Sequence, residues 1–277
     1  MGWQVSAWLG PLGNLVEFAH YKGSASVDLD RKVVFTETIG GGRFGQASPA
    51  TGLRTWAMSA TYMDPSQWAG FELLAMGAYG DQHVFLEPLS LVTNVISPLK
   101  SLPGLGGNAS WVSGDNSPSG LVAIEGGTRV PTVRSDGGSM YMRFDAPVMP
   151  GKPVTVSVYA LGASVRMNVS FTDASGAYVG SGGSVTRAMT GGSLWRISRS
   201  TVAPPTAAAV YISVTGASVA AAPAVTWTNS LMPWARGRGC EKAVIHGVGD
   251  STILAGGSVG RQFAGFDFTV TEVGYGD

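Results

Sequence analysis

Apolar and polar residues alternate along most of the chain. A period of two marks strands, because successive side chains point to opposite faces of a sheet. It runs through VDLDRKVVFTETI (27–39), LRTWAMSAT (53–61), SMYMRF (139–144), VTVSVYAL (154–161), VRMNVSFT (165–172), LWRISRST (194–201), AVYISVT (209–215), KAVIHGV (242–248) and RQFAGFDFTVTEV (261–273). Clusters of Gly, Pro, Asp, Asn and Ser, such as SGDNSPSG (113–120) and GSGGS (180–184), separate these runs and read as loops. A single stretch predicts a helix. Asp64 caps it, Pro65 suits its first turn, Trp68, Phe71, Leu73 and Leu74 form its apolar stripe, and Gly77 and Gly80 stop it. The expected fold is all-β with one short helix.

Two segments interrupt the rhythm, VTNVISPLKSLPGLGGN (92–108) and MPWARGRGC (232–240), and both read as Pro/Gly-rich hinges. Residues 99–236 carry ten basic and five acidic side chains, net +5, against eight and thirteen, net −5, in the remainder. This asymmetry predicts a nested arrangement. A base domain, a sandwich or barrel, comprises 1–98 and 237–277, and an insert spans 99–236. The short strands of the insert read as a β-sandwich or jelly roll.

Alternation also sorts the faces of the insert. Met140, Met142, Phe144, Val154, Val156, Val158, Val165, Met167, Val169, Phe171, Trp195, Ile197, Val210, Ile212 and Val214 share one class, the expected core. The opposite class holds Tyr141, Arg143, Tyr159, Arg166, Asn168, Arg196 and Tyr211, expected to point outward. Aromatic rings stack on the apolar faces of sugars, and Arg and Asn supply planar donors for hydroxyls. The outward set is therefore a candidate glycan site. The same residue types are common on outward strand faces, so a neighbouring subunit is an equally open occupant. Trp111 and Tyr178 are loop aromatics that suit the same role.

Composition narrows the function classes. The chain has 277 residues with 40 Gly, 15 Pro and 13% charged residues, about half the roughly 25% of a typical globular chain. That excludes a charged disordered tail, a coiled coil and a highly charged nucleic-acid binder. Eighteen basic and eighteen acidic residues cancel, so phosphate neutralisation cannot drive binding and no nucleic-acid partner is expected. No uninterrupted apolar run reaches membrane-spanning length, and no membrane insertion is expected. The start, MGWQVSAWLG, lacks a basic n-region and a long apolar h-region, so a secretory signal is not expected. Gly2 with Ser6 fits the loose myristoylation pattern, which chance often satisfies.

Candidate chemistry is sparse. Cys240 is the one cysteine, which excludes an internal disulfide and Cys-pair zinc sites and is expected as a buried, inert thiol. His20, His83 and His246 show no metal-ligand spacing and read as structural. A G-x-G-x-x-G pattern at Gly40, Gly42 and Gly45 is followed by QASPATG and another strand, without the helix that would receive a pyrophosphate. A G-x-S-x-G pattern at Gly256, Ser258 and Gly260 has no later His and reads as a hairpin loop. The insert's acids, Asp115, Glu125, Asp136, Asp145 and Asp173, sit mostly at turn positions and show neither a glycosidase pairing nor a cation-loop spacing. No catalytic residue, metal or cofactor is expected, and the chain reads as a non-enzyme.

The runs RTWAMSATYMDPSQWAGFELLAMGAYGDQHVFLEP (54–88), TNVISP (93–98) and GRGCEKAVIHGVGDSTILAGGSVGRQFAGFDFTVTEVG (237–274) resemble minor tail proteins of phages infecting actinobacteria, found at the distal tail or tail tip. KPVTVSVYAL (152–161), VRMNVSFTDASGAYV (165–179), LWRISRSTVAPPTAAAVYISV (194–214) and VTWTNSLMP (225–233) resemble carbohydrate-binding modules of the galactose-binding jelly-roll type. Together the resemblances imply a structural component of a phage tail tip, located in the virion. The base domain would form a threefold or sixfold cyclic homo-oligomer around the tail axis and touch other tail-tip proteins. The insert would face outward, with a host cell-wall glycan as its candidate ligand. Two alternatives remain open: a purely structural tail protein whose insert only contacts neighbouring subunits, and a glycan-binding module outside any phage.

Overall fold

A computed structural model describes residues 6–18, 28–30, 33–37, 43–47, 53–63, 65–104, 111–112, 117–134, 140–142, 146–189, 193–256 and 261–273. In chain order the strands are β1 (Ala7–Gly10), β2 (Val16–Phe18), β3 (Asp28–Asp30), β4 (Val33–Glu37), β5 (Arg43–Ala47), β6 (Leu53–Met63), β7 (His83–Leu86), β8 (Trp111–Val112), β9 (Ser117–Ala123) and β10 (Arg129–Arg134). They continue as β11 (Met140–Met142), β12 (Ala146–Pro147), β13 (Pro153–Thr172), β14 (Tyr178–Met189), β15 (Trp195–Val202), β16 (Ala209–Thr215), β17 (Val219–Thr226), β18 (Cys240–Gly256) and β19 (Arg261–Glu272). Among the described residues two α-helices accompany them, α1 (Pro65–Ala75) and α2 (Pro88–Thr93). The fold is all-β. Two compact units divide the chain: Met1–Pro11, Val16–Phe85 and Glu241–Asp277 form the first, Leu12–Leu15 and Leu86–Cys240 the second.

The first unit is built on a seven-stranded sheet ordered β2-β1-β7-β18-β19-β6-β3. Helix α1 closes over an aromatic cluster. Its Phe71 ring lies 5.6 Å from Phe18, 5.0 Å from Phe266 and 4.7 Å from Phe268. Phe71 and Leu74 are buried while Leu73 is exposed, because positions three apart share a helix face and position 73 turns away from it. Asp64, the expected cap, lies outside the described residues. Deeper in the unit, Arg54 spans Trp56, its guanidinium 4.8 Å from the ring centroid. Its Nε and Nη2 donate to the two carboxylate oxygens of Glu272 at 2.8 and 2.9 Å. That fork pairing gives a buried charge the bidentate partner it needs. His83 is buried too, and burial lowers its pKa, so it is neutral at pH 7. His246 is a surface residue whose Nε2 lies 2.8 Å from Thr271 Oγ1, and His20 lies outside the described residues.

Both glycine motifs fall at hairpins. β4 pairs antiparallel with β5, placing Gly45 opposite Phe35, while Gly40 and Gly42 lie outside the described residues. Gly256 pairs with Arg261 at the end of the β18–β19 ladder, with Ser258 and Gly260 outside the described residues. Among the described residues, strands β6 and β19 follow the two motifs, and no helix does.

The second unit is a β-sandwich of the jelly-roll type, organised by β13. The first half of this strand lies between β15 and β17, and its second half lies between β14 and β16. One sheet runs β14-β13-β16-β11-β8, and the other runs β15-β13-β17-β10-β9. The crossing comes at Gly162, where a Cβ would lie 2.2 Å from Gly216 O, so only glycine fits the crossing. Val154, Val156, Val158, Val165, Met167, Val169, Phe171, Ile197, Val210, Ile212 and Val214 are buried, the face that alternation predicts.

Several expectations are corrected here. GSGGS (180–184) belongs to β14 and is not a loop. A Cβ at Gly182 would come within 2.7 Å of Val169 Cγ1, so the glycines permit close packing that any side chain would block. A second helix, α2, is present. At six residues it is too short to show a helical period, and Pro88 opens it after Glu87.

The two expected hinges are corrected, since residues of both are buried and hydrogen-bonded to one another. Val95, Ile96, Ser97, Lys100 and Ser101 are buried. The Asn94 carboxamide makes four hydrogen bonds. Its Nδ2 donates to Pro223 O at 3.1 Å and Ala235 O at 3.0 Å, and its Oδ1 accepts from Ile96 N at 3.4 Å and Val225 N at 3.1 Å. Arg238 N donates to Asn94 O and Gly239 N to Ile96 O, which stitches the entering chain to the leaving one. The Arg238 guanidinium also pairs with the buried Glu87 carboxylate. Proline and glycine here serve close backbone approach, because a Cβ at Gly239 would overlap Val95 O.

Candidate functional site

The β13 register assembles the candidate face. Residues 165, 167, 169 and 171 point into the core, which turns 166, 168 and 170 outward. Arg166 stands opposite Thr186 of β14 and Thr215 of β16. The next outward row joins Ser184, Asn168 and Ser213, and Tyr141 of β11 pairs beyond Ser213. A third row joins Ser181, Ser170 and Tyr211. Four residue steps along β13 take Arg166 to Ser170, about 13 Å along the strand, and four neighbouring strands add about 14 Å of width.

This face is hydroxyl-rich and held by its own side chains. Asn168 Nδ2 donates to Ser213 Oγ at 3.2 Å, and Arg166 Nη2 donates to Ser184 Oγ at 3.3 Å. Arg166 is exposed, and Asn168 and Tyr211 are half-buried. At the hairpin end, Tyr178 is 63% exposed opposite Thr172. That hairpin is fixed by Asp173, whose Oδ1 accepts from Ser175 Oγ at 2.6 Å, Ser175 N at 2.9 Å and Ala177 N at 3.0 Å. These donors, Ser175 foremost, hold its carboxyl below the usual carboxylate range.

Three of the seven expected site residues thus share one outward face, Arg166, Asn168 and Tyr211, and the backbone of Tyr141 pairs in register with Ser213. Arg143 lies outside the described residues. Tyr159 and Arg196 are corrected. Both sit on the other sheet, where the outward side of β13 is covered by other chain segments. Tyr159 is 2% exposed and packs with Ile124, Val130, Ala221, Leu194 and Trp234. Its hydroxyl donates to Glu125 Oε2 at 3.0 Å. Burial, reinforced by that carboxylate, raises its pKa from 10.0 to about 12. Arg196 lies 5.5 Å from the Tyr159 ring centroid and donates to Ser157 Oγ at 3.2 and 3.0 Å and to Met232 O at 2.7 Å. Both residues brace the sandwich. Trp195, expected in the core, is 57% exposed because it begins β15, opposite Ala160, where the sheet ends.

Sequence reading missed the hydroxyls of Ser184, Thr186, Ser213 and Thr215. They alternate as regularly as the aromatics, but only the pairing partners reveal that they surround Arg166 and Asn168. Among the described residues, no group of three or more His, Cys, Asp or Glu is placed to hold a metal ion.

No family model matches the chain, and no curated protein does. Solved structures similar to it include the enzymatically active domain of tailspike protein 4 of bacteriophage CBA120, at 12% identity and TM-score 0.39, covering 49% of this chain and 21% of that one. A carbohydrate-binding module of Cellvibrio mixtus lichenase 5A, in complex with cellotriose, is similar at 9% identity and TM-score 0.32, covering 44% and 95%. A carbohydrate-binding module of the β-sandwich superfamily is similar at 12% identity and TM-score 0.31, covering 80% and 97%. This chain spans about a fifth of the tailspike structure. At these identities and scores the likenesses assign neither a family nor a ligand.

Proposed function

We propose that the chain is a structural, non-enzymatic component of a phage tail tip. Its first unit assembles around the tail axis, and its second unit displays a sugar-binding face for adsorption to the host wall. The observation that carries the sugar-binding half is the β13 register, which lines up Asn168, Arg166 and Tyr211 among hydroxyls on one outward face. The tail half rests on the resemblance of 54–98 and 237–274 to minor tail proteins. With few aromatic rings on the face, adsorption would draw on copy number. A cyclic threefold or sixfold assembly turns a modest single-site affinity into tight attachment.

Binding of the purified full chain to host cell walls tests this reading. Tyr211→Ala is expected to weaken retention about tenfold by removing a stacking ring, with a melting temperature lowered by only a few degrees because the ring is half-buried. Light scattering is expected to return a closed oligomer. A strict monomer that is absent from virions overturns the tail assignment. If Tyr211→Ala leaves adhesion intact but changes the oligomer mass, the face is a subunit contact.

A further inference from the structure

We infer that the saccharide bound by this face is acidic, carrying a uronate-type carboxylate that Arg166 receives. The inference rests on the sugar-binding reading above and names the ligand class within it. Arg166 is exposed, and its guanidinium has a neutral partner, Ser184 Oγ at 3.3 Å, which leaves its positive charge uncompensated. Among the described residues of the three outward rows it is the one charged side chain, and every neighbour in register is a hydroxyl or an amide. The acids of this unit whose contacts are known are engaged elsewhere. Asp173 holds its own hairpin, Glu125 accepts from Tyr159, and Glu87 pairs with Arg238. Residues 99–236 carry ten basic and five acidic side chains, so the surroundings also favour an anion.

The chemistry selects a carboxylate. A guanidinium presents parallel N–H groups in a plane, matching a planar carboxylate in both geometry and charge. A phosphate monoester brings nearly two negative charges to this single cation. Ser184 and Thr186 stand beside Arg166 as hydroxyl partners for the adjoining ring oxygens, while Thr215 Oγ1 donates to Arg166 O at 3.5 Å. A neutral saccharide would leave the guanidinium without an ionic partner.

The test uses the full chain and a panel of polygalacturonate, alginate and hyaluronate, each beside its carboxyl-reduced form, with dextran phosphate as a further arm. Titration calorimetry is expected to find at least one uronate polymer bound. Carboxyl reduction and Arg166→Gln should each weaken that binding at least tenfold, Arg166→Lys should weaken it less, and added salt should weaken the wild type more than Arg166→Gln. Thermal melts of both Arg166 variants should match the wild type, since the side chain is exposed. Equal affinity for a polymer and its reduced form, or an Arg166→Gln variant that binds like the wild type, overturns the inference. A preference for dextran phosphate overturns it as well. If Tyr211→Ala still abolishes binding in those cases, the sugar face stands and only the charge assignment falls. If no polymer binds and Tyr211→Ala leaves host-wall adhesion unchanged, the sugar-binding reading falls with it.

Discussion

Tyr159 carries a phenol into a buried cluster, and its surroundings make an acid–base prediction. The folded pKa is raised to about 12 from 10.0. Between those values the unfolded chain has released a proton that the native state still holds, so stability falls as pH rises. Below pH 10 the contribution is fully present, and it is lost as pH climbs toward 12. Denaturant unfolding at about pH 9 and about pH 11 is expected to show this decline, and Tyr159→Phe to flatten it. Tyr159→Ala is expected to cost about 3–5 kcal/mol through lost burial and a cavity. Trp195→Ala should cost under about 1 kcal/mol, because the indole is mostly in solvent. Two thermal melts check the contrast. The inversion of these two residues marks where alternation stops being informative. Along β13 it separates the faces, but it cannot tell whether the outer face meets water or another segment. Thr155, Ser157 and Tyr159 lie on the outer face and are all buried.

At the scale of elements, composition misleads most where backbones crowd. Glycine and proline runs read as flexible, yet Gly182 packs against Val169, and Gly237 and Gly239 let the leaving chain run against 95–97. Nothing in a single sequence separates a glycine kept for freedom from one kept for closeness. The long alternating strands were legible because a buried stripe every second residue is hard to mistake. The six-residue helix α2 was not, since it has too few turns to repeat a pattern. Asn94 gives the strongest test at this scale. Asn94→Leu removes four hydrogen bonds and strands buried partners, which at about 1–3 kcal/mol for each unsatisfied group predicts a loss of several kcal/mol. Gly239→Ala should destabilise by the opposite route, since its methyl group would occupy the space of Val95 O. Calorimetric scans of both variants are expected to lower the transition of the second unit and leave a transition of the first.

For the whole molecule, the two faces of the insert's strands were legible in the alternating runs, but the pairing of those strands and the edges of the unit were not. The charge shift drew attention to 99–236, whereas the stitched backbone includes 87–98 and 237–240. A fragment spanning 86–240 is therefore expected to fold alone with a cooperative melt. A fragment of 99–236 lacks the Asn94 hub, the Val95–Val225 hydrogen bond and the α2 contact with β17, and should melt lower or aggregate. Circular dichroism of the two fragments checks this, and equal melting temperatures would show that the clasp contributes nothing.

The clasp also bears on heredity. Asn94 and Arg238 are 144 positions apart in the sequence yet joined backbone to backbone, so everything between them is a closed excursion from a single point. Recombination that exchanges such an excursion has to keep the paired crossing, the Trp227–Leu91 backbone hydrogen bond and the close approach of Gly13 to Ala174 and Ala208, whatever the length of the replacement. A lineage can then change the outward face of the second unit while the remainder drifts slowly, and the residues retained across such exchanges should be Asn94, Gly237 and Gly239, with Tyr211 free to turn over.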